Sequence, residues 1–80
     1  MPALRSALGF VIRRRRQNAG YSQDRFADAV GFHRTYIGAL ERGEVNLSLS
    51  TLERVASALG ISPSVLLVEA ENAQRSQEPG

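Results

Sequence analysis

The chain has 80 residues, a formal charge of +2, 42% hydrophobic residues and no cysteine. That length holds one small domain at most, and the missing cysteine excludes disulfides and thiolate metal sites as its staples. Charge is unevenly spread: residues 1–43 carry eight arginines against three carboxylates, residues 44–80 two against five. A polyanion docking at one end of the molecule suits such a division. No apolar run approaches the roughly 20 residues that span a bilayer. The stretch "ALGFVI" has its arginines behind it rather than in front, unlike a secretory signal. A cytoplasmic protein with no membrane partner is expected, and the absence of cysteine fits a reducing compartment.

The pattern is helical throughout, with no sustained alternation at period two. The first helix is predicted over residues 3–19, with Leu4, Leu8, Val11 and Ile12 at helical spacing and Gly20 as its stop. Ser22 is a good N-cap for the second, whose inner face is Phe26, Ala27 and Val30 and whose first turn carries Asp24, where the helix dipole favours a carboxylate. Gly31 ends it in a left-handed conformation that a side chain would resist. The third helix starts at His33 or Arg34 and runs to Glu41, with Ile37 and Leu40 inward and Gly43 closing it. After the loop "EVNLSLS", Ser50 or Thr51 opens the fourth, whose inner set is Leu52, Val55, Ala56 and Leu59. Ser62 caps and Pro63 begins the fifth, which is expected to fade after Ala70. A domain over residues 1–70 and a disordered polar tail over 71–80 follow from this reading.

Helices two and three with their glycine turn make a helix-turn-helix pattern. Ala27, four residues before Gly31, keeps the two helices close, and Ile37, six after it, points into the angle between them. Joined to Ser22-Gln23, to "LERG" at 40–43 and to "TLERVASALGIS" at 51–62, this pattern resembles the Cro/repressor-type helix-turn-helix family, also called the xenobiotic-response-element family, over roughly residues 8–67. Within it, "HRTYIGALERGEVNLSLSTL" is similar to the controller proteins of restriction-modification systems. The resemblance implies an all-α, lambda-repressor-like domain of five helices, a transcriptional regulator that binds double-stranded DNA as a homodimer with helix three in the major groove.

On that basis Arg34, Thr35 and Tyr36 are candidate base contacts. Arg34 can donate two parallel bonds to guanine, and Thr35 can meet a base edge or a thymine methyl. Tyr36 either packs its ring on the surface with its hydroxyl meeting a phosphate, or reaches a base. Gln23, Arg42, Gly43, Asn46 and Ser48 are candidate phosphate contacts, which position without reading sequence. His33 stands where the family carries a capping serine; it meets a phosphate or stands idle. As the sole histidine, without companions at ligand spacing, it makes no metal site, and no cofactor is implied.

Arg16 follows Leu8 and Ile12 at four-residue steps and matches the family partner of the "LERG" glutamate, so Arg16 and Glu41 are expected as a buried structural pair. Arg13, Arg14 and Arg15 then face solvent or supply general electrostatics. Val65, Leu66, Leu67 and Val68 form an apolar run that either covers a two-fold dimer interface or finishes the core. An enzyme is not indicated, because there is no nucleophile with a base, no carboxylate pair and no phosphate-binding glycine loop. The alternative is an antitoxin-like module whose main partner is another protein. A membrane-surface helix over residues 3–16 fits poorly, its arginines lying at one end.

Overall fold

The computed structural model describes residues 3–76, which form five helices: α1 Leu4–Asn18, α2 Gln23–Val30, α3 Arg34–Glu41, α4 Leu49–Leu59 and α5 Pro63–Ser76. No strand occurs among the described residues, and no single helix is long and apolar enough to cross a membrane. Helix α1 is the central element, packing on α5, α3 and α4 through Ala7, Leu8, Val11 and Ile12. Leu4, expected inward, sits exposed at the start of that helix. Where α1 crosses α3 stands Gly9. A methyl group there would collide with the carbonyl oxygens of Leu40 and Glu41, so only glycine lets the two backbones approach this closely.

Helix α2 begins as its sequence dictates, with the Ser22 hydroxyl accepting from the Arg25 N–H at 3.1 Å. It ends at Gly31, whose φ of +86° is left-handed and whose N–H donates to the Ala27 carbonyl at 2.8 Å. Helix α4 starts at Leu49, earlier than expected. Ser48 rather than Ser50 or Thr51 is the cap, because its hydroxyl accepts from the Thr51 N–H at 3.1 Å.

Helix α5 passes Ala70 and continues to Ser76, so residues 71–76 are helical rather than the expected disordered tail, and the expected domain end at residue 70 falls inside the helix. Residues 77–80 of that segment lie outside the described residues. The extension has a packing reason: Ala70 is buried, Ala73 rests on the core, and Glu69 is gripped by Arg15 of α1. Phe26, Ile12, Ile37, Leu40, Leu66, Val11 and Val55 are the largest fully buried side chains and draw on all five helices. Each contributes about 1.5–3 kcal/mol by leaving water.

Candidate nucleic-acid interface

Helix α3 has two chemically distinct sides. Ile37 and Leu40 are sealed in the core and fix its orientation, while Arg34 and Thr35 at its start are exposed. His33 occupies the N-cap position without a side-chain capping bond and is also exposed. The Arg34 side chain lies with its Nε 3.5 Å from the Asp24 carboxylate of α2. Tyr36 is half-buried, and its ring packs against Phe32 at a tilt of 44°, with centroids 4.9 Å apart. Packing and access are thus combined in that residue.

A residue that braces this turn is absent from the expectations above. Arg54 of α4 places its guanidinium carbon 4.4 Å from the Phe32 ring centroid, and its Nη2 donates to the Gly31 carbonyl at 3.4 Å. A side chain at position 31 would also run into that guanidinium. The available signal was Phe32 itself, a large aromatic directly after a turn glycine, where it needs a partner.

Two candidate phosphate contacts have donors already engaged within the chain. Gly43 is buried against Ser6 of α1, and its N–H donates to the Leu40 carbonyl at 3.1 Å, so no donor remains for a phosphate. The Ser48 hydroxyl is committed to the α4 cap and donates to Thr51 Oγ1 at 3.0 Å. The others are exposed or partly so. Asn46 accepts from Arg5 Nη1 at 3.0 Å, leaving its own amide N–H groups free to donate. Gln23 donates one amide hydrogen to Glu41 at 3.1 Å and retains the second. Arg42 is bonded through two nitrogens to Glu44, at 3.0 and 3.2 Å. The hydrogen bonds hold the Arg42 guanidinium above its ordinary pKa and the Glu44 carboxyl below its own.

Arg16 and Glu41 meet across α1 and α3 in a buried fork, Nε to Oε2 at 2.6 Å and Nη2 to Oε1 at 3.1 Å. The third nitrogen, Nη1, donates to the Tyr21 carbonyl at 2.9 Å. With Gln23 on the other side, every polar atom of the pair is used, as burial demands. Among the described residues no buried side-chain polar atom lacks a partner. The other arginines of the run diverge. Arg15 bonds Glu69, Arg14 lies over the exposed Phe10 ring, and Arg13 faces solvent without a partner.

The apolar run of α5 divides. Leu66 is 0% exposed and belongs to the core, so it cannot serve a dimer interface; helical rotation turns it inward while its neighbours turn away. Val65 and Val68 are exposed. Leu67 is half-buried beside Leu4, Leu8, Leu47 and Leu52, in a cleft next to Leu49, which is 79% exposed.

A second helix pinned by its apolar side, with arginine and threonine exposed at its leading end, defines a class: regulators that read DNA with a helix-turn-helix. The chain belongs to the helix-turn-helix family of DNA-binding transcriptional regulators, whose pattern, described as Helix-turn-helix, matches residues 12–66. It is 42% identical over 65 residues to the "Neisseria hypothetical transcription factor" of Neisseria meningitidis serogroup B, covering 81% of this chain and 61% of that protein. The crystal structure of the clp gene regulator ClgR from Corynebacterium glutamicum is similar at a TM-score of 0.91 and 36% identity, over 95% of this chain and 81% of that one. The restriction-modification controller protein C.AhdI from Aeromonas hydrophila is similar at a TM-score of 0.74 and 38% identity, over 76% and 92%.

Proposed function

We propose that this chain regulates transcription in the cytoplasm by binding operator half-sites in double-stranded DNA as a homodimer, in the manner of a controller protein, with α3 in the major groove. The observation that carries the reading is the exposure of Arg34 and Thr35 at the leading end of a helix whose opposite side is locked into the core. A major groove about 12 Å wide admits one helix, and residues at its N-terminal end meet base edges first. Arg34 and Thr35 read bases. Tyr36, with its ring held by Phe32, offers its hydroxyl. Gln23, Arg42 and Asn46 grip phosphates with the donors they retain.

A second copy is supported by Leu49 and the leucine-lined cleft beside it. A protruding side chain next to a cleft of matching chemistry is self-complementary, as a two-fold interface requires. Val65 and Val68 add apolar surface on the same helix as Leu67.

Selection from randomised duplexes, followed by gel shifts at rising salt, tests the reading. The protein should retain a two-fold symmetric sequence and lose affinity steeply with salt as phosphate contacts give way to counterions. Arg34→Ala should relax the preference at one base pair in each half-site by about 1–3 kcal/mol. If no duplex is enriched, the reading fails and a module for another protein takes its place.

A further inference from the structure

A carboxylate on a surface that meets a polyanion repels it, yet Asp24 stands on that surface beside the first residue of α3. Its position in the first turn of α2 offers one explanation, since the helix dipole favours an acid there. The contact with Arg34 offers another. Both side chains are largely exposed, 73% for Asp24 and 65% for Arg34, and a pair so wet contributes little to folding. What such a pair does affect is where a long, flexible side chain points.

We propose that Asp24 is a positioning residue for sequence readout, holding Arg34 by its Nε so that the two terminal nitrogens are presented together to one guanine. This rests on the assignment of Arg34 as a base contact and goes beyond it. An arginine guanidinium carries five N–H donors on three nitrogens in a rigid plane. The Asp24 carboxylate lies on the Nε side of the guanidinium, 3.5 Å away, as an ion pair, and Nη1 and Nη2 remain a parallel fork, the geometry that meets guanine O6 and N7. A side chain already ordered loses less freedom on binding, so the gain appears only where that fork finds its acceptors. The repulsion between this carboxylate and phosphate acts on every sequence alike. Asp24 therefore raises discrimination only through the fork it presents, at a uniform cost in affinity.

The molecule supplies its own control. Asp28 lies one turn further along α2, is exposed, and has no arginine partner. Asp24→Asn and Asp28→Asn remove the same charge from the same helix, and only one of them releases Arg34. With the duplex selected by the unaltered protein as probe, Asp24→Asn should lower the preference for guanine at the Arg34 position about threefold to tenfold, a part of what a whole arginine–guanine pair discriminates. Binding to random duplex should rise about twofold for both variants at low salt, as a negative charge is removed. Asp28→Asn should leave the guanine preference unchanged. Adding Asp24→Asn to Arg34→Ala should change that preference no further.

If Asp24→Asn and Asp28→Asn behave alike, Asp24 is only a dipole or surface charge and the proposal is overturned. If Arg34→Ala abolishes the preference and Asp24→Asn does not touch it, the proposal alone falls. If Arg34→Ala keeps every preference, or no sequence is selected at all, the base-contact assignment falls and takes the proposal with it.

Discussion

Glu41 at the end of α3 meets Arg16 with 3% and 8% of the two side chains exposed, whereas Arg34 at its start meets Asp24 with 65% and 73% exposed. The chemistry is the same in both pairs and the consequences are opposite. Water decides between them. The inner guanidinium has lost its hydration and must spend all its donors on Glu41 and Tyr21. The outer one keeps its hydration and most of its donors, and is free to exchange them for DNA. One eight-residue helix is thereby divided into an end that fixes the fold and an end left exposed, the one proposed to read DNA.

The sharpest way to test that division is to break the inner pair. Arg16→Ala leaves Glu41 buried with only Gln23 for company and should cost about 3–5 kcal/mol in urea denaturation. Arg34→Ala in the same assay should stay within about 0.5 kcal/mol of the unaltered protein, as exposed substitutions do. A large loss for Arg34→Ala would mean the two ends are not separate.

A smaller effect is expected where α1 and α3 touch. Gly9→Ala drives a methyl into the Leu40 and Glu41 carbonyls and should destabilise by about 1–3 kcal/mol, an overpacking penalty read as a lower melting temperature. Because α3 is displaced as a unit, DNA affinity should fall with stability while base preference survives.

The mildest effect concerns Glu69, whose carboxyl is held below its ordinary pKa by hydrogen bonds from Arg15, with Arg14 nearby. A depressed carboxyl adds stability above its unfolded pKa and loses it as pH falls through the folded one. Glu69→Gln should therefore lower the melting temperature slightly at neutral pH. The difference from the unaltered protein should shrink on acidification through and below the usual carboxylate range. A difference that does not vary with pH would show that the Arg15–Glu69 tie between α1 and α5 acts by packing alone.

Much of the inner half was legible in the sequence, because burial leaves a periodic record. Leu8, Ile12 and Arg16 step by four along α1 and lie inward together. Ala27, Gly31 and Ile37 are spaced as the crossing of two helices requires. Where the pattern has no period, reading becomes ambiguous. Val65, Leu66, Leu67 and Val68 are all apolar, so composition alone could not say that Leu66 is the one sealed inside. The extension of α5 past Ala70 was hidden for a related reason. Its polar sequence reads as a tail, while the residue that returns it to the core, Ala73, is a single small apolar position. Gly43 and Ser48 looked available because a loop residue shows its donors in sequence but not who has claimed them. Arg54 and Asp24 were harder still: each lies far along the chain from its partner, and exposed charges follow no period.

The segregation along α3 bears on how such proteins diversify. If the proposed base contacts hold, the side chains that meet the operator are not those that hold the helix in place, and single substitutions at positions 34 and 35 change the target while each intermediate still encodes a folded protein.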